Sequence, residues 1–134
     1  MASTTNSKLN TKNSALVLFA HGARDPQWSE PFRAIQQAVA RRRPDLTVDI
    51  AFLELMQPAL AQCVAELARN GHEKVTIAPL FLAQGGHLKR DVPRLVAELS
   101  ARHPMVQITV LPAIGEVPAL LNAIADWLVE GTPR

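Results

Sequence analysis

ALVLFA, running from Ala15 to Ala20, is an unbroken apolar segment that stops at His21-Gly22. Its length suits a strand, and its lack of alternation implies a sheet covered on both faces. Outward from it the chain alternates helical and strand patterns. Asp25-Pro26 and Ser29-Glu30-Pro31 carry helix-start chemistry. Phe32, Ile35, Ala38 and Val39 then recur at helical spacing, up to the arginines before Pro44. TVDIAFL (Thr47 to Leu53) reads as a second strand. Pro58 to Asn70 reads as a second helix with Leu60, Cys63, Val64, Leu67 and Ala68 on one face, stopped by Gly71. KVTIAPL (Lys74 to Leu80) is a third strand. Leu88, Val92, Leu95, Val96 and Leu99 mark a third amphipathic helix, ending near His103-Pro104. QITVL (Gln107 to Leu111) is a fourth strand, and Pro118 opens a last helix through Leu121, Ile124 and Leu128.

The order βαβαβαβα, with right-handed crossovers, predicts an α/β fold: a four-stranded parallel sheet of order 2-1-3-4 with helices on both faces. The 134 residues suit one domain, expected over residues 14–134 behind a flexible polar tail at residues 1–13. Apolar content of 48% against 19% charged excludes wholesale disorder. A net charge of +2 and 4% aromatics give no footing for nucleic acid. The apolar runs fall far short of the ~20 residues that span a bilayer, so no membrane partner is expected. The lone Cys63 forms no internal disulfide, and the tail lacks a secretory apolar stretch. A cytoplasmic setting is therefore expected.

Ligands of such sheets bind beyond the carboxyl ends of the strands, where the strand order reverses. That rim gathers three segments: His21-Gly22-Ala23-Arg24-Asp25-Pro26, Glu54 within FLELMQP, and Gln84-Gly85-Gly86-His87-Leu88-Lys89-Arg90-Asp91. Two imidazoles and a carboxylate converging there suit a divalent transition metal. Taken singly, a histidine after a strand is more often a turn or packing residue than a ligand; two on one edge beside a carboxylate bring the two readings level. Glu54 between Leu53 and Leu55 is either a surface residue or, if buried, must be paired, protonated or metal-bound. Gly22, Gly85 and Gly86 permit close backbone approach or positive φ, as turn glycines in any α/β protein do. Arg24, Lys89 and Arg90, with the helix N-termini, favour a ligand bearing several carboxylates or phosphates.

The Arg41-Arg42-Arg43 run closes the first helix at the opposite edge and reads as solvated charge facing the helix dipole. His72 and His103 lie in helix-to-strand turns on that far edge and read as structural. Cys63 reads as a small core residue, Trp28 as a possible pocket wall and Trp127 as packing. No GxGxxG or GxxxxGK[ST] pattern is present, which disfavours nucleotide readings.

LVLFAHGARDPQW, FLELMQP and IAPLFLAQGGHLKRDVP together resemble the short CbiX-type sirohydrochlorin cobaltochelatases, members of the class II tetrapyrrole chelatases. The resemblance runs from Ala15 to Trp127, with Ala23 standing where many relatives have Ser. It implies a flavodoxin-like chelatase half and a lyase that inserts Co2+ into sirohydrochlorin, an eight-carboxylate tetrapyrrole, for cobalamin synthesis. Close relatives insert Fe2+ for siroheme or Ni2+ for coenzyme F430. It also implies His21 and His87 as metal ligands and Glu54 as the strand-end glutamate that completes the site or relays protons. Arg24, Gly85, Gly86, Lys89 and Arg90 would meet the substrate. Longer chelatases hold two such halves, so the resemblance implies a homodimer here. Insertion displaces two pyrrole protons, which neutral imidazoles accept near their ordinary pKa of ~6.5, so no tightly bound cofactor is expected.

Three other readings stand beside this one. A metal-carrying domain would bind metal without ring chemistry. A phosphate-ester hydrolase would use Gly85-Gly86-His87 as an anion site but lacks a rim nucleophile. A receiver-like module would need acidic residues where His21-Gly22 stands.

Overall fold

The computed structural model describes residues 13–134. Four strands, β1 (Ser14–Ala20), β2 (Thr47–Phe52), β3 (Lys74–Pro79) and β4 (Gln107–Val110), form one sheet. Its order is β2-β1-β3-β4 and every pair is parallel, as the alternation of elements predicts. The helices between and after them are α1 (Glu30–Arg42), α2 (Leu60–Arg69), α3 (Gly86–Arg102) and α4 (Pro118–Glu130). Short 3-10 turns at Pro26–Ser29 and Ile114–Glu116 precede α1 and α4.

Local chemistry sets the boundaries. An Asp25 carboxylate oxygen accepts the backbone N–H of Gln27 at 2.9 Å and caps the first 3-10 turn. The buried Ser29 hydroxyl donates to the Pro26 carbonyl at 3.0 Å and accepts from Arg33 Nε at 3.2 Å, joining that turn to α1. Asn13, expected within the mobile tail, instead accepts the N–H groups of Glu73 and Lys74 at 3.0 and 3.3 Å. The rest of that expected tail lies outside the described residues.

The core occupies one face of the sheet. Ala15, Val17, Phe19, Ala51, Val75 and Ile77 pack against Leu60, Cys63, Val64 and Leu67 of α2 and against Val92 and Leu99 of α3. The opposite face carries α1, whose Gln36 side-chain amide donates to the Val48 carbonyl at 2.7 Å. Coverage there is partial, because α1 has no buried residue and Ile35 is 43% exposed. The last helix departs furthest from expectation. Trp127, read as a packing residue, is 69% exposed, and every residue of α4 is exposed. Among the described residues, no helix is long and apolar enough to cross a membrane.

The far edge behaves as a structural edge should. His72 lies between the Leu67 carbonyl at 3.1 Å and Thr47 Oγ1 at 3.0 Å, so it ties α2 to β2. Cys63 is a core residue whose thiol is pushed up to about 12 by burial, with Asp49 and Glu66 adding to the shift. Asp49 itself is half-buried, and desolvation raises its pKa against the opposing pull of His72. A carboxyl group with a raised folded-state pKa stabilises the fold below its unfolded value of ~3.9. That contribution is lost as pH rises through the folded value, so at neutral pH the charged Asp49 is a cost. Asp49→Asn is accordingly expected to raise Tm by a few degrees at pH 7 and to leave it unchanged near pH 3. Thermal melts at the two pH values check this, and an equal gain at both would refute the assignment.

Candidate functional site

The carboxyl edge is built by hydrogen bonds that continue the ladder beyond the strands. Leu53 N–H donates to the Ala20 carbonyl at 2.8 Å, and Glu54 N–H to the His21 carbonyl at 3.0 Å. Leu80 N–H donates to the Phe19 carbonyl at 2.8 Å. These bonds hold the ends of β1, β2 and β3 level, with His21 central at the point where strand order reverses.

Packing orients the His21 ring. Its centroid lies 4.6 Å from that of Phe81, tilted by 58°, and Phe81 meets Phe19 edge-on at 5.3 Å. Phe81 is 1% exposed, so the imidazole rests on a fixed wall of the core while remaining exposed itself. His87 is the second residue of α3, whose N-cap is Gly85. The two imidazoles border one cleft of about 290 Å3, shared with Leu53, Leu88, Asp91, Val92 and Leu95. A larger groove of about 620 Å3 runs along β2 and α2 past Asp49, Cys63 and Glu66. Histidine does not line it, whereas both rim histidines line the smaller cleft.

Glu54 abuts His21 through its backbone, but the residue is exposed, as are Leu53 and Leu55 at 37% and 60%. The burial that would force its carboxylate to be paired or protonated is absent. Leu55 explains this: its φ of 66° turns the chain off the sheet just past Glu54. Among the described residues, no group of three or more His, Cys, Asp or Glu side chains stands close enough to hold a metal. The chain presents two imidazoles at one cleft, with the Glu54 backbone beside His21.

The cationic residues Arg24, Lys89 and Arg90 are all exposed. Gly85 and Gly86 open α3, and a Cβ on Gly85 would meet nothing within 4 Å. The space beside Gly85 is open, whereas a Cβ on Gly86 would touch the Arg90 guanidinium at 3.7 Å. Gly22 differs, because its φ is +91° and a Cβ there would stand 1.9 Å from the Glu54 carbonyl oxygen. Trp28 stacks on Phe32 at 4.7 Å and is half-buried at the entry to α1, where it does not line the histidine cleft. Phe81 and Asp91 complete the surroundings of the two histidines. The period-2 pattern Val75, Ile77, Pro79, Phe81 was the signal for Phe81.

An open four-stranded parallel α/β sheet with two imidazoles on one cleft at its switch point defines a domain of flavodoxin-like architecture. The match to known proteins makes this specific: residues 15–130 fit the CbiX family model, and the chain belongs to that family. It is 35% identical over 61% of its length to a sirohydrochlorin cobaltochelatase from Methanopyrus kandleri, of which it covers 57%. With a sirohydrochlorin cobaltochelatase from Sulfurisphaera tokodaii the identity is 32%, over 75% of this chain and 78% of that one. A crystal structure of a candidate cobalamin (vitamin B12) biosynthesis CbiX protein from Marinobacter aquaeolei VT8 superposes with a TM-score of 0.75. That pair shares 36% identity over 87% of this chain and 95% of the other. The chain thus spans less than two thirds of some of the curated relatives it matches.

Proposed function

We propose that this chain inserts a divalent metal, cobalt foremost, into sirohydrochlorin. The observation that carries the reading is the pair His21 and His87 on one cleft at the switch point, in a member of the CbiX family. The relatives named sirohydrochlorin cobaltochelatases supply the substrate and the metal. In this reading the two imidazoles hold the incoming ion, and one of them accepts a proton as the ring loses its two pyrrole hydrogens. Glu54 completes the ligand set or relays protons outward. Arg24, Lys89 and Arg90 bind peripheral carboxylates and so fix the ring over the metal, a positioning effect. The open space beside Gly85 lets a flat macrocycle approach the N-terminus of α3, where the Arg90 guanidinium lies beside Gly86.

The exchange of two protons for one dication balances charge without electron transfer, so the step calls for no redox group, nucleotide or tightly bound cofactor. A cleft of about 290 Å3 sits at the low end of the ~300–1,000 Å3 usual for small-molecule sites. A tetrapyrrole needs more, which favours a homodimer facing two such rims across one substrate. We place the reaction in the cytoplasm.

An anaerobic absorbance assay tests the reading: the full chain with sirohydrochlorin and Co2+, Fe2+ or Ni2+ in turn, each against a protein-free control. Protein-dependent acceleration of the spectral change is expected, fastest with Co2+. Imidazole and carboxylate ligands accept all three ions, so the relative rates rank them. A folded protein that binds metal without accelerating any conversion would overturn the reading in favour of a metal carrier.

A further inference from the structure

The two imidazoles of the rim cleft are not held alike. His21 rests on the buried Phe81 ring at 4.6 Å. His87 is exposed, and among the described residues its ring makes no ring contact and no hydrogen bond. A free neutral imidazole swings about its side-chain torsions and carries its proton on either Nδ1 or Nε2, so part of the population offers the wrong nitrogen. A histidine that holds a metal is ordinarily fixed by an acceptor for its other ring N–H, often a carboxylate.

The cleft supplies one such group. Beside the two histidines it is lined by Leu53, Leu88, Val92, Leu95 and Asp91, so its carboxylate is that of Asp91 and not that of Glu54. Asp91 stands four residues after His87 on α3, a spacing that sets two side chains on one helix face with Cβ atoms about 5–6 Å apart. Helical side chains lean toward the N-terminus, which directs Asp91 back toward the turn that carries His87. The carboxylate is also uncommitted. Among the described residues it takes part in no ion pair and no side-chain hydrogen bond. The cations around it on α3 are engaged elsewhere or exposed. Arg90 lies beside Gly86, Lys89 lines a separate cleft with Gln84 and Glu116, and Arg94 is exposed and in no ion pair. Asp91 and the two imidazoles do not come close enough to hold one metal together, so the reach of the carboxylate is to a ring rather than to an ion.

We infer that Asp91 is the positioning residue of His87: its carboxylate accepts one ring N–H and leaves the other nitrogen, unprotonated, for the cleft. The inference rests on the proposed use of His87 toward the metal and deepens it by naming what sets the ring. His21 is then oriented by packing and His87 by a carboxylate one helical turn away. The negative charge behind the ring also makes its free nitrogen a stronger donor toward a dication.

Equilibrium dialysis with Co2+ and 15N spectra of the histidine rings test this on the full chain, Asp91→Ala and Asp91→Asn. Position 91 is exposed, so circular dichroism should show both variants folded. At about pH 8, above the ordinary imidazole pKa of ~6.5, the unaltered chain should show His87 as one neutral tautomer. Asp91→Ala should show a mixture and bind Co2+ about 10–100-fold more weakly. Asp91→Asn keeps an acceptor oxygen without the charge, so it should keep the single tautomer and bind Co2+ with an affinity between the other two. An unchanged tautomer balance in Asp91→Ala would overturn the inference, and so would Co2+ binding as tight as in the unaltered chain. An Asp91→Asn protein that matches Asp91→Ala in both readings would overturn it too, leaving charge alone as the role of Asp91. Neither reading requires insertion. A chain that gives the expected results yet leaves sirohydrochlorin unconverted would overturn the proposed function and uphold the role of Asp91.

Discussion

His87→Ala is expected to cut the rate of metal insertion by about 10²-fold or more while leaving the fold unchanged. The reasons lie on two levels. His87 is exposed in the first turn of α3, and alanine is the strongest helix former, so nothing in the packing depends on the imidazole. Its Tm should stay within a degree or two of the unaltered protein's, as for surface substitutions generally. Chemically the loss is severe. The cleft presents two imidazoles, and removing one leaves a single ring for both holding the ion and accepting a departing pyrrole proton. Equilibrium dialysis with Co2+ should register weaker binding in the same variant, which separates loss of the ion from loss of substrate. Near-normal conversion rates would remove His87 from the site and leave His21 as its surviving imidazole.

Much of this architecture was legible because the sequence punctuates it clearly. Each strand is a short apolar or β-branched run, and each helix is fenced by Pro, Gly or Ser. Strand ends were read one residue long at Leu53, Leu80 and Leu111, for an identifiable reason. The N–H groups of these residues still donate to Ala20, Phe19 and Ile77, so the ladder outlasts the strand geometry. The meeting of His21 and His87 followed from topology, since both stand just beyond carboxyl ends that the strand order brings together.

Three features were not legible, each because a local pattern carried no information about its neighbours in space. Glu54 between two leucines suggested burial, but the left-handed Leu55 turns the segment outward. Trp127 and the leucines of α4 suggested core packing, yet an apolar helix does not declare whose core it serves. Phe81 lay one residue past the third strand as read, so its place under His21 was missed although the alternation continued through it.

Gly22→Ala should destabilise the fold strongly for the addition of a single methyl group. The backbone at Gly22 has φ +91°, a region that costs an L-residue about 1–2 kcal/mol. The added Cβ would fall 1.9 Å from the Glu54 carbonyl oxygen and 3.1 Å from its carbon. Backbone cannot rotate away as a flexible side chain would, so the contact must be relieved by moving the end of β2 or of β1. Overpacking of this kind costs about 1–3 kcal/mol more. The sum, about 2–5 kcal/mol, is a large share of the ~5–15 kcal/mol that holds a domain folded. A fall in Tm of about 10 °C or more is the expected reading in a thermal melt. The displacement would also reach the site, because Glu54 N–H donates to the His21 carbonyl at 3.0 Å and His21 precedes the substituted residue. Any Gly22→Ala protein that remains folded at low temperature should therefore insert metal more slowly, with His21 shifted off its Phe81 wall. A variant with unchanged Tm would mean that the rim is soft enough to absorb the methyl group. The close seating of Gly22 against Glu54 would then have no part in holding the two ends of the site together.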